Sequence, residues 1–184
     1  MRCRWGRWCS RRDASRMSVG TPGSGGGTEP GRLSDAEFIR AIDAVPLVSI
    51  DLIVRNPAGE VLLGHRNNAP AAGYWFTPGG RVRKRERLAD AFARLAQGEL
   101  GLALTLPQTR LLGAYEHMYP DNVFGITGID THYVVLGYEV VLATAAEARA
   151  CSQHAELRWW KLEDLMVSTT VHNNVKAYFR TPAA

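Results

Sequence analysis

Cysteine is scarce in this chain of 184 residues: only Cys3, Cys9 and Cys151. The number is odd and the spacing is unlike a zinc site, so neither a disulfide framework nor a structural zinc is expected. Such usage fits a reducing cytosol. Long apolar runs are missing too. No stretch approaches the ~18–20 consecutive apolar residues of a membrane span, and the N-terminus has no apolar core of a secretory signal. Internal repeats are absent. What the chain does have, 46% hydrophobic and 22% charged residues, is the balance of one soluble cytoplasmic domain with a tail.

An excess of basic charge raises the pI to about 9.2 and invites a nucleic-acid reading until the charges are placed. Residues 1–16 hold six arginines and one acid, Asp13, a charge of +5. The remainder has 16 basic and 17 acidic residues, a charge of −1. The basic character belongs to the tail, so neither nucleic acid nor membrane is expected as a partner of the folded part. Residues 1–31 read as a disordered, Arg-rich then Gly-rich extension. An organellar presequence, a nucleic-acid arm and a true start at Met17 are all compatible with it. The domain spans 32–184, and Ser34-Asp-Ala-Glu37 reads as a capping box opening its first helix.

The body alternates strands and helices. Strands are expected at Leu47–Val54, Glu60–Arg66, Tyr74–Thr77, Arg110–His117, Thr131–Leu142 and Leu157–Lys161. Helical turns follow at Leu162–Leu165 and Val171–Phe179. In the first strand Val48, Ile50, Leu52 and Val54 share one face, with Ser49 and Asp51 on the other. This is an α/β (α+β) plan, a mixed sheet sandwiched between helices.

The most informative segment is Pro78-Gly-Gly80 and the helix after it. The glycines form a tight turn that brings backbone close to a ligand. From Arg87 a helical stripe runs through Leu88, Phe92 and Leu95, and Gly101 marks its stop. On a regular helix Glu99 lies about 20° in azimuth from Leu88, on the face to be buried. It also lies in the last turn, where the dipole disfavours an anion by roughly 0.3–1 kcal/mol. Glu99 is therefore either a solvated helix-end residue that snorkels or a carboxylate that needs a cation. The flanking glycines favour the second, with a hard ion on oxygen ligands, Mg²⁺ or Mn²⁺. Glu86 and Arg94 bracket the helix start and read as a structural ion pair that fixes the loop.

Gly80, Glu86, Arg94, Glu99, Gly101 and Leu102 match the Nudix box, G-x5-E-x7-R-E-U-x-E-E-x-G-U with U apolar, while Leu95 and Gly98 replace two of its glutamates. From about Phe38 to Phe179 the chain resembles the GDP-mannose mannosyl hydrolase branch of the Nudix hydrolase family. The resemblance rests on Pro46–Asp51, Leu63-Gly-His-Arg66, Gly73–Arg81, Thr131–Gly137, Gln153-His154 and Val171–Phe179. It implies a Nudix fold, homodimers, and hydrolysis of GDP-mannose to GDP and mannose by water attack at the anomeric carbon, with inversion. It assigns one Mg²⁺ to the Gly79 carbonyl, Glu99 and Gln153, and the general base to His154.

By the same resemblance, Arg66 and Arg81 serve the diphosphate, which guanidinium forks match. Tyr133 donates to a phosphate oxygen, Asp51 accepts from sugar hydroxyls and His117 lines the sugar site. Each has a plainer alternative: His154 as a surface-loop histidine, Tyr133 as a core aromatic, Asp51 as an N–H acceptor, His117 as an exposed strand-end residue. The five basic residues around Glu86 fit a solvated loop beside a polyanion better than an RNA site, because no aromatics interleave. Trp159 and Trp160 are expected to pack in the core or at an interface. Two further functions compete: an ordinary Nudix pyrophosphohydrolase, and a non-catalytic nucleotide-binding module. The lost glutamates count against the first, and the retained Glu99, Gln153 and His154 against the second. The preferred sugar among GDP-mannose, GDP-glucose and GDP-fucose is left open by the Pro120–Asp130 loop.

Overall fold

The structure, a computed structural model, describes residues 33–143 and 154–180, with His154 and Ala155 described by their backbone alone. The N-terminal extension thus lies outside the described residues. Helix α1 (Asp35–Ala44) begins as the sequence indicates. The Ser34 N–H donates to Glu37 Oε2 at 2.8 Å, and the Glu37 N–H donates to Ser34 Oγ at 3.4 Å, closing the capping box.

Seven strands follow among the described residues: β1 (Leu47–Arg55), β2 (Val61–Arg66), β3 (Trp75–Phe76), β4 (Gly79–Arg81), β5 (Arg110–Tyr119), β6 (Thr131–Val141) and β7 (His154–Trp160). They form one mixed sheet in the order β3-β2-β1-β6-β5, with β4 on β1 and β7 on β2. Strand β1 is central and parallel to β6 along its whole length. Its other edge is split. It pairs with β2 only at Arg55↔Val61, beside the Asn56–Gly59 turn, and then takes β4 instead. The sheet therefore opens between β1 and β2, with the Gly79–Arg81 strand on the β1 side of the opening.

Because β1 is covered on both sides, Ile50, Leu52, Ile53 and Val54 are all buried. Ile50, Leu52 and Val54 face one core, under α2 (Leu88–Leu95), with Ala91, Phe92 and Leu95. The second core joins Val61, Leu63, Trp75 and Trp160 to Leu165 of α3 (Leu162–Val167) and Val175 of α4 (Asn173–Ala177). Trp75 and Trp160 meet edge to face, their centroids 5.5 Å apart. Trp160 is core as expected, and Trp159 packs on the first cluster. No helix among the described residues is long and apolar enough to cross a membrane.

The box helix departs from the expected geometry. Leu88 is exposed, and the helix widens after Leu95 into a π turn, Ala96–Leu100. A π turn advances each residue by a smaller angle than an α turn, so the azimuth that placed Glu99 near Leu88 does not apply. The closing bonds are widened as well. The Leu102 N–H reaches Ala96 O at 3.2 Å and the Gly101 N–H reaches Gln97 O at 3.1 Å, with Gly101 left-handed at φ 69°. Each spans one residue more than in a Schellman closure. Glu99 is buried all the same.

Candidate active site

The glycine turn is positioned by close backbone packing. A Cβ on Gly79 would overlap the Ile50 carbonyl oxygen and stand 2.8 Å from Asp51 Oδ1. Only glycine permits β4 to lie against β1 at this point. The Leu52 N–H donates to Pro78 O, and the Val82 N–H to Val48 O. By the alternation of an antiparallel ladder, the carbonyls of Gly79 and Arg81 then point away from β1. Arg94 confirms the direction for Arg81, whose carbonyl accepts from its Nη2 at 2.9 Å. The Gly79 carbonyl lies on that same edge.

Glu86 and Arg94 form the structural pair expected of them. Arg94 Nε and Nη2 donate to the two Glu86 carboxylate oxygens at 2.6 and 2.7 Å, and the Arg83 N–H caps Glu86 Oε2 at 2.8 Å. These bonds hold the Glu86 carboxyl below its ordinary pKa. Glu99, five residues past Arg94, is different in kind. Burial pushes its carboxyl up to about 7, against the pull of Arg66 and Arg94. Among the described residues no three His, Cys, Asp or Glu side chains cluster as a metal site. A cation held by Glu99 therefore needs neutral oxygens, and the outward Gly79 carbonyl is of the right kind. The donor set fits a hard divalent ion. Gln153, the third expected ligand, lies outside the described residues.

Asp51, on the opposite face of β1 from the box helix, is buried at 6% exposure. It accepts from Thr77 Oγ1 and from the Tyr178 hydroxyl, both at 2.7 Å and both on Oδ2. Burial raises its pKa to about 6, opposed by these bonds and by Arg66. His117 is also buried, not exposed at a strand end. Its Nε2 stands 3.3 Å from the Tyr178 hydroxyl, and burial lowers its pKa to about 4, leaving the ring neutral. Phe76, Tyr119 and Tyr178 surround it with ring contacts.

Arg66, at the end of β2, joins the two faces. Its charge acts on Glu99, Asp51, Tyr119, Tyr133 and His172. Its Nε is buried without a hydrogen-bond acceptor among the described residues, while the guanidinium lies 5.5 Å from the Phe76 ring centroid. Arg81 stacks on Phe38 of α1 at 3.4 Å and influences Tyr133, whose hydroxyl pKa burial raises. The His154 backbone is in register with Arg66 across β2 and β7. Its side chain is outside the described residues.

Sequence reasoning missed Thr77, Tyr119, His172, Asn174 and Tyr178. Asn174 Nδ2 donates to the Tyr119 hydroxyl at 3.2 Å. The His172 Nδ1 accepts the Asn174 N–H at 3.2 Å, capping α4 and fixing the tautomer. Thr77 adjoins the glycine turn and Tyr178 lies in the Val171–Phe179 segment, so both lay within motifs already singled out. Their partners were not visible there.

A family model described as NUDIX domain matches residues 45–181. Over 128 residues the chain is 42% identical to the low-salt glycan biosynthesis protein Agl8 of Haloferax volcanii, a match covering 69% of this chain and 78% of that protein. Its fold is similar to the MutT NUDIX hydrolase of Burkholderia pseudomallei, with TM-score 0.60 and 28% identity over 76% of this chain and 99% of that one. It is also similar to the MutT protein of Methanosarcina mazei Go1, with TM-score 0.59 and 22% identity over 74% and 92% of the two chains.

Proposed function

As the chain belongs to the NUDIX family, we propose that it hydrolyses GDP-mannose, and in second place GDP-glucose, to GDP and the free sugar by inverting attack of water at the anomeric carbon. The observation that carries this reading is the thinned box. A single buried carboxylate, Glu99, remains on a helix whose pattern provides more. Attack at phosphorus ordinarily draws on several metal ligands to make hydroxide and neutralise the phosphoryl oxygens. One carboxylate suits a smaller task, support of a leaving group. The relative Agl8, named for glycan biosynthesis, supports a sugar-bearing substrate.

Gly79, Glu99 and Gln153 are the residues assigned to hold Mg²⁺, with Mn²⁺ as substitute. When bound, the ion supplies positive charge to the diphosphate as it departs. Arg66 and Arg81 add guanidinium donors on the same group. The Tyr133 hydroxyl, held protonated by burial, donates to a phosphate oxygen. Asp51, with Oδ2 occupied by Thr77 and Tyr178, offers Oδ1 to a sugar hydroxyl. His117 closes the sugar side as a neutral ring. His154 takes a proton from water as the oxygen bonds to the anomeric carbon. The bond from that carbon to the bridging oxygen breaks, and the oxygen leaves with GDP.

A homodimer in the cytoplasm, with no nucleic-acid or membrane partner, completes the proposal, and residues 1–31 are taken as an extension outside the catalytic domain. Product analysis tests it. Incubation with GDP-mannose and Mg²⁺ is expected to yield GDP and mannose. GMP and mannose 1-phosphate would instead mark an ordinary pyrophosphohydrolase, and no turnover a binding module.

A further inference from the structure

We propose that Tyr178 is a positioning residue: seated over Gly137, its hydroxyl links Asp51 on β1 to His117 on β5 and fixes which Asp51 oxygen meets the ligand. The role rests on the assignment of Asp51 to the sugar made above.

The seat is built into the sheet. Asp51 and Gly137 are partners in the parallel β1–β6 ladder. A Cβ on Gly137 would stand 3.1 and 3.3 Å from two ring carbons of Tyr178, and 3.2 Å from Tyr115 Cε2. The glycine lets the Tyr178 ring lie on β6. Tyr115, on the neighbouring β5, meets that ring edge to face at 4.6 Å. From this position the hydroxyl reaches Asp51 Oδ2 at 2.7 Å and His117 Nε2 at 3.3 Å. Strand β6 lies between β1 and β5, so the tyrosine bridges two residues whose strands do not touch.

Proton counting gives the bridge a direction. A phenol has one O–H to donate. At neutral pH it points to the Asp51 carboxylate, and Thr77 donates to the same oxygen. The His117 contact then requires the ring to donate from Nε2, which makes Nε2–H its tautomer. Oδ2 is saturated by two donors. Oδ1, lying over Gly79, receives none among the described residues and is the oxygen left for a ligand. Loss of the hydroxyl would free Asp51 to rotate without removing any group that touches substrate.

Tyr178→Phe is the test, read in two ways. In the ligand-free protein, long-range ¹H–¹⁵N spectra are expected to show His117 as the Nε2–H tautomer, with its Nε2 signal displaced in Tyr178→Phe. In the mutant kcat for GDP-mannose is expected to fall by more than about fivefold, with KM and GDP affinity within about twofold of wild type. A smaller fall, or a loss confined to KM, overturns the positioning role. So does an Nδ1–H tautomer in the wild type, a result that stands even if the variant fails to fold. If the wild type turns over no GDP-mannose, the proposed function fails. The bridge is then judged by the spectra alone.

Discussion

Arg66 stands opposite His154 in the antiparallel ladder of β2 and β7, next to a register shift between Gly64 and Arg66. The irregularity lies where bulges commonly re-aim side chains near active sites. The pairing carries the start of β7 to the open end of the sheet, beside Arg66, whose field reaches both Glu99 and Asp51. A residue far from Arg66 in sequence is thereby set opposite it by strand pairing. His154→Ala is expected to remove most turnover at neutral pH, by roughly 10²–10⁴-fold as for a lost general base. Mg²⁺ affinity, measured by titration, should be unchanged. Near-normal rates would contradict the base assignment.

The Glu99 carboxyl holds its proton up to about pH 7 in the folded protein, against 4.5 as its ordinary value. Folding therefore takes up a proton between these values. The resulting stability is complete below the ordinary value and is lost as pH rises through about 7, by on the order of 3 kcal/mol at most. Asp51, raised to about 6 by burial, acts in the same sense. The metal-free protein should thus melt at lower temperature near pH 8 than near pH 5. Mg²⁺ needs the carboxylate, so its affinity should rise across the same window. Glu99→Gln is expected to abolish Mg²⁺ binding and to flatten most of the pH dependence of Tm.

Glu86 and Arg94 should matter to stability and not to the chemical step. Their side chains are 13% and 30% exposed, so solvent screens the pair in part, yet each also bonds the loop backbone. Arg94→Ala or Glu86→Ala is expected to cost about 1–2 kcal/mol. A double-mutant cycle by urea unfolding should show coupling between them. Additive losses would show that the backbone contacts, not the pair, hold the loop.

Two glycines of the box segment should respond in opposite directions. A Cβ on Gly98 meets nothing within 4 Å, so Gly98→Ala should stabilise by roughly 0.5–1 kcal/mol and leave activity intact. Gly79→Ala would press on the Ile50 carbonyl oxygen and Asp51. It should cost about 2 kcal/mol or more and disrupt the site. Calorimetry of both variants checks the contrast.

Much of this was legible in the sequence because it is local. The Ser34 cap, the strands with their alternating faces, the glycine turn and the Gly101 stop each follow from a few neighbouring residues. Burial of Glu99 was foreseen on an incomplete basis, since the π turn at Ala96–Leu100 changes its azimuth. The Asp51–Tyr178 bond was not legible at all, as 127 residues separate its partners. Nor was the stacking of Arg81 on Phe38, which depends on where α1 lies over the sheet. Residue types gave the chemistry, and tertiary placement decided which of them meet.

The central claim is attack at carbon by an enzyme whose box retains only Glu99 of its helix-borne metal carboxylates. Hydrolysis of GDP-mannose with Mg²⁺ in ¹⁸O-water, followed by mass analysis of both products, tests it most directly. The account predicts that one ¹⁸O enters mannose and none enters GDP. Label in a phosphate product, with mannose unlabelled, would contradict it.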